Sequence, residues 1–230
     1  MCRGSGAAAF GPGARAARAP LRRRYGAGIA ATDPQSIAQL LDFRRQVAEL
    51  YAQVRAAGDP RAAHARWCEA RRRLFATHPQ SPLPPAERAR HGGPHTWDYD
   101  PRWRLLATVR AAPEEALELP SSDGHTMRFV RFGRAHAGDV ELDLYWLDAY
   151  GGGLFVPFAD TTSGDETYGA GRYMLDTIKG ADLGTDRGRL VLDLNFAYQP
   201  SCSYDARWTC PLAPPANRLE QAVRAGEQLG

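Results

Sequence analysis

A chain of 230 residues that is 43% hydrophobic has the length and apolar content for one domain with a packed core, with room for a small appendage. Its formal charge of +3 hides an asymmetry, because residues 1–32 hold six arginines (Arg3, Arg15, Arg18, Arg22, Arg23, Arg24) and no acid, leaving +3 − 6 = −3 for the remainder. A mildly acidic folded part argues against a nucleic-acid surface, and Lys179 as the sole lysine among 29 basic residues reads as the coding bias of a GC-rich genome, not as phosphate recognition.

Residues 1–32 are dominated by Gly, Ala, Arg and Pro without apolar periodicity, the composition of a disordered tail. Arg22-Arg23-Arg24 before Tyr25 resembles a twin-arginine export signal, but the following YGAGIAA is too short and too weakly apolar to act as its hydrophobic region. No run approaches the roughly 18 apolar residues of a membrane span. The expectation is a cytoplasmic protein with neither membrane nor nucleic acid as partner.

Folded structure is predicted to begin at Asp33-Pro34, where Asp can cap a helix and Pro suits its first turn. Ile37, Leu40, Leu41, Val47, Leu50, Tyr51 and Val54 then recur at helical spacing up to Gly58. Asp59-Pro60 repeats the start signal, and a second helix sets Ala63, Trp67, Ala70 and Leu74 on one face before stopping near His78-Pro79. Two helices joined this closely form an antiparallel hairpin. Within the second, His64 and Cys68 share a face at metal-ligand spacing, but two ligands make no site, and they are expected as core or partly solvated side chains.

Residues 79–102 hold six prolines and form a long irregular connection, whose His91, His95, Trp97 and Tyr99 should pack it against the body. From residue 104 the texture becomes short strands, predicted at 104–110, 116–119, 126–133, 140–147, 154–158, 172–175 and 189–194, with Ser122-Asp123-Gly124 as a turn. In 140–147 the alternation puts Val140, Leu142, Leu144 and Trp146 on one face and Glu141, Asp143 and Tyr145 on the other. The fold class is therefore α+β, mainly β: an antiparallel curled sheet of about seven strands, barrel- or sandwich-like, behind an N-terminal helical hairpin. The organisation is a tail (1–32), the hairpin (33–78) and a β-rich part (79–230), with 33–230 as one compact unit.

Reactive residue types concentrate in residues 154–173, LFVPFADTTSGDETYGAGRY, a strand delivering a glycine-hinged polar loop and leaving as another strand. Asp160 and Glu166 could form an acid/base pair, and Ser163 or Thr162 a nucleophile without a local activating His. Arg172 could clamp a carboxylate or phosphate, lining one cavity with Asp160, Tyr168 and Tyr173, and Thr162 is a further candidate ligand contact. YGAGRY does not match a dinucleotide fingerprint. Equally, Asp and Thr side chains close turns, and Arg172 can pair with Asp160 or Glu166 beneath them. A second dense stretch, residues 193–219, adds Asn195 and Tyr198 as candidate ligand contacts. It also holds Cys202 and Cys210 eight apart, open to free thiols, a disulfide, or a metal that would need two ligands from elsewhere. No cofactor is indicated.

These two stretches, FVPFADTTSGDETYGAGRY and LDLNFAYQPSCSYDARWTCPLAPPANRL, resemble the bacterial family called domain of unknown function 1684. The resemblance runs upstream through Tyr99-Asp100-Pro101, Ser81-Pro82-Leu83, His78-Pro79, Phe75 and Arg71 to Trp67, covering roughly 60–228. It implies that the Asp160 loop and the Cys/Pro stretch belong to one signature, and it brings no activity. The Gly/Pro-rich His91-Gly92-Gly93 departs from relatives that hold an aromatic residue there. Three functions follow: binding of a small polar or anionic molecule, the leading one; a hydrolase or lyase with Asp160 or Glu166 as general base and Arg172 stabilising charge; or a structural or protein-interaction domain whose motif only locks the fold.

Overall fold

The computed structural model describes residues 33–122 and 124–230. The tail expected over 1–32 and Asp123 of the expected turn lie outside them. Asp33 accepts hydrogen bonds from the amides of Gln35 and Ser36 and starts helix α1 (Pro34–Ala56). Asp59 does the same for Arg61 at the head of α2 (Pro60–Thr77). The expected apolar stripe of α1 is buried only in its second half, at Val47, Leu50 and Tyr51, while Ile37 and Leu41 are each 48% exposed. At 23 residues against the 18 of α2, α1 outruns what it packs on. α2 buries a fuller stripe that includes His64, Cys68 and Arg71.

A short helix α3 (Arg88–His91) and strand β1 (His95–Thr96) interrupt the proline-rich connection. The main sheet contains β2 (Arg104–Pro120), β3 (Thr126–Ala137), β4 (Val140–Leu147), β5 (Leu154–Phe158), β6 (Arg172–Asp176), β7 (Thr185–Asp186) and β8 (Arg189–Asp193). Its order is β6-β5-β4-β3-β2-β8-β7, antiparallel throughout, and it curls as an open half-barrel. The two strands expected at 104–110 and 116–119 are one, because an irregularity between Ala111 and Glu115 takes up Pro113 without ending the pairing with β3. The near-terminal β9 (Glu227–Gln228) pairs with β1, placing Thr96 opposite Glu227.

The two expected faces of β4 stand, but burial does not divide along them. Val140, Leu142 and Leu144 are buried in the main core with Trp67, Val156, Phe158 and Phe196, but Trp146 is 48% exposed, and Asp143 and Tyr145 are each 1% exposed. Consecutive residues point to opposite faces, so Leu144 and Tyr145 report two cores. The helices cover one face at one end of the sheet. Residues from Cys202 to Cys210 help cover the other face at the other end, with Leu119, Phe129, Tyr145, Phe155 and Tyr173. Among the described residues no helix is long and apolar enough to cross a membrane.

Candidate functional site

β5 carries Phe158 and Ala159 into the loop that returns as β6. Thr162 holds that loop tight, since its carbonyl accepts from the amides of Asp165, Glu166 and Thr167. Asp160 Oδ1 accepts from the Thr162 amide at 2.7 Å and its hydroxyl at 2.6 Å, and that hydroxyl also meets Thr167 Oγ1 at 3.0 Å. Ser163 Oγ accepts from the Asp160 amide at 3.1 Å, a turn contact. At Gly171 φ is +92°, and an added Cβ would collide with the Phe158 carbonyl, so only glycine lets the loop close onto β5.

Arg172 faces a carboxylate. Its side chain and that of Asp160 are each 1% exposed, and Nη2 donates to Asp160 Oδ2 at 2.8 Å. Nη2 also donates to the Val223 carbonyl at 2.8 Å, and Nη1 to the carbonyls of Ala225 and Glu227 at 2.5 and 3.1 Å. These bonds occupy four of the five N–H donors of a guanidinium, whose faces meet the rings of Phe158 and Trp97. Burial pulls the Arg172 pKa down and Asp160 opposes that pull. The network clamps the C-terminal segment onto the loop.

The other named residues disperse. Glu166 meets Arg224 at the surface in a bidentate pair of 2.7 and 2.8 Å, which lowers the Glu166 pKa. Tyr173 is buried and donates to the Pro211 carbonyl, and Tyr198 lies edge-on to it with its hydroxyl 3.4 Å from Asp176 Oδ2. Asn195 sits in a separate cluster, donating to Asp193 Oδ1 and the Asp100 carbonyl. Hollows of about 440 and 230 Å³ lie beside the helices, and neither is lined by any residue of 154–173. Of the four residues expected to line one cavity, Arg172, Asp160 and Tyr173 are spent on internal bonds, and Tyr168 is the one that is not.

Tyr168 reaches elsewhere. Its hydroxyl lies 3.7 Å from Cys202 Sγ, and the Cys202 amide donates to Cys210 Sγ at 3.4 Å. Cys68, Cys202 and Cys210 are free thiols, and no group of three or more His, Cys, Asp or Glu among the described residues could hold a metal. A hydrogen bond from the Cys210 thiol, with help from Tyr168 and Ser122, lowers the Cys202 pKa to about 6, while the same bond and burial push Cys210 up. His64 and Cys68 are core side chains, 5% and 7% exposed.

The model of the family described as Protein of unknown function (DUF1684) matches residues 90–228. The chain belongs to this family. The match starts later than the resemblance read over 60–228, so Trp67, Arg71 and Phe75 precede it. The chain is also similar to an uncharacterized protein of Haloarcula marismortui solved by solution NMR, with 38% identity over 68% of this chain and 87% of that one, at a TM-score of 0.48. No curated protein matches. Neither description carries an activity.

The two halves of the DUF1684 signature do pack together: the Ala159 amide donates to the Asn217 carbonyl, and the Leu219 amide to that of Ala159. Sequence reasoning missed the second clamp. Arg71 Nε donates at 2.6 Å to Glu227, which is fully buried and also accepts from the Gln199 amide and the Tyr204 hydroxyl. Its signal was present, because Arg71 follows Trp67 by four residues and so falls on the apolar face of α2, where a charge needs a buried partner. The ion cluster of Asp143 with Arg131 and Arg134 was missed too, since Asp143 looks solvated in an alternating strand.

Proposed function

We propose that this DUF1684 chain is a structural or protein-interaction domain whose signature locks the fold. What supports this reading is the expenditure of Arg172 on Asp160 and three backbone carbonyls, which leaves the guanidinium with no edge to offer a small anion. The hydrolase or lyase reading loses its electrostatic stabiliser for the same reason, and its bases Asp160 and Glu166 are each already paired with an arginine. Arg71 and Glu227 join α2 to the last strand, so the hairpin (33–78) and the β-rich part (79–230) act as one cooperative unit.

A thermal-shift panel of carboxylates, phosphates, sugars and nucleotides tests this. A ligand that binds the native state raises the melting temperature by mass action, and no compound should do so through Arg172. A polar or anionic compound that stabilises the wild type but not a folded Arg172→Lys variant would overturn the proposal. Should that variant unfold, amide shifts of the labelled wild type confined to 160–173 on adding the compound would overturn it equally.

A further inference from the structure

We infer that Cys202 and Cys210 form a redox pair, with Cys202 as the attacking thiolate, Cys210 as the resolving thiol and small hydroperoxides as the substrate class. The two residues are eight apart in sequence, yet the Cys202 amide donates to Cys210 Sγ at 3.4 Å, which sets the Cys210 sulfur against the Cys202 backbone in the native fold. The Cys210 amide is fixed by Ser122 Oγ at 3.1 Å, and the Tyr168 hydroxyl stands 3.7 Å from Cys202 Sγ, where it can donate to a thiolate. The depressed Cys202 thiol agrees with this geometry, because the thiolate is the nucleophile and falls on the less buried sulfur.

Burial chooses the oxidant. Cys202 is 9% exposed beside half-buried Tyr168, and Cys210 is 1% exposed. A water-sized peroxide can approach Cys202 there, whereas a bulky disulfide cannot align with it. Cys202 S⁻ attacks one peroxide oxygen; an S–O bond forms, the O–O bond breaks, and the leaving alkoxide or hydroxide takes a proton from water. The Cys210 thiol then attacks the sulfenic sulfur; the S–S bond forms, the S–O bond breaks, and the departing hydroxide takes the Cys210 proton to leave as water. A small dithiol reductant returns both thiols by exchange.

Cys68 serves as the internal control. It lies 3.5 Å from His64 Nε2, a contact that in other surroundings would activate a thiol. Here burial raises the Cys68 pKa and lowers that of His64 to about 4, so the contact holds two neutral groups. Proximity to an imidazole is not the deciding feature; a donor set that favours the anion is.

The test uses the full chain carrying Cys2→Ser, treated under native conditions with stoichiometric hydrogen peroxide and then digested after alkylation. A Cys202–Cys210 linked peptide, a loss of two hydrogens by intact mass, and reversal by a dithiol are expected. Cys202 should react at least roughly 10-fold faster than Cys68, in line with its thiolate fraction. Cys210→Ser should instead trap Cys202 as a sulfenic acid, captured by a 1,3-dione. If Cys202 and Cys210 stay reduced while Cys68 oxidises, or if all three thiols survive until the protein is unfolded, the proposal fails. Both outcomes are read on the wild-type pair, so the experiment remains decisive even where the Cys210 variant folds poorly. A linked peptide formed with a bulky disulfide but not with peroxide would also overturn it.

Discussion

Asp160–Arg172 and Glu166–Arg224 are two acid–arginine pairs built on one loop, with near-identical contacts of 2.8 Å and 2.7 Å. Their surroundings differ. The side chains of the first pair are each 1% exposed, while Glu166 and Arg224 are 32% and 61% exposed. In water the attraction is screened and the side chains lose entropy to hold one geometry. In the interior the attraction is strong but offset by desolvation, so the pair adds little over an apolar replacement yet cannot lose one partner cheaply. A short contact therefore says little about what a pair does, and burial says most of it.

The largest effect should follow Arg172→Met. It strands the Asp160 carboxylate in the core and frees the carbonyls of Val223, Ala225 and Glu227. A stability loss of about 3–5 kcal/mol is expected in urea unfolding, as for other broken buried pairs. A loss no bigger than that of a Glu166 variant would break the comparison. Next comes Arg71→Met, which strands Glu227 and should cost about 3 kcal/mol by the same reasoning. Arg172 donates to the Glu227 carbonyl while Arg71 holds its side chain, so both act through one segment. The double variant should accordingly depart from additivity by roughly 0.5–3 kcal/mol. Strict additivity would mean that the two clamps are independent.

What the sequence revealed and what it concealed follow the range of each signal. Asp33-Pro34 and Asp59-Pro60 are local start signals, and both helices begin there. The fold class was readable for the same reason, since strand alternation and turn residues are short-range. Which carboxylate or carbonyls Arg172 meets depends on residues 223–227, about fifty positions away, and no periodicity encodes that. Trp146 and Asp143 misled because alternation reports two faces and not which end of each face is covered. For Tyr168, the place on the loop was legible, and the Cys202 beside it, 34 residues on, was not.

Burial without an ion partner gives a third, smaller effect. His64 lies among the rings of Trp67, Tyr99 and Phe196, and burial lowers its pKa from 6.5 to about 4. Between those values the unfolded chain binds a proton that the native state does not. Stability should therefore fall as pH drops from 6.5 towards 4, with a slope no steeper than about 1.4 kcal/mol per pH unit for one proton. His64→Phe should flatten that slope in denaturant titrations across the window. An unchanged slope would assign the acid sensitivity to other groups.

The smallest effect belongs to Glu166→Gln. Arg224 holds the Glu166 carboxyl below its usual value of 4.5, so the contribution of this pair is present above that pH and is lost as pH falls through the lower, native value. At neutral pH and low salt the variant should melt almost with the wild type. The residual difference should vanish in high salt, because exposed charges are screened there. The Glu166 carbonyl accepts from the Leu229 amide whatever the side chain, so the C-terminal segment stays anchored without the ion pair. A destabilisation that approaches that of Arg172→Met and persists in high salt would show that the surface pair, and not the buried one, fastens the C-terminal segment.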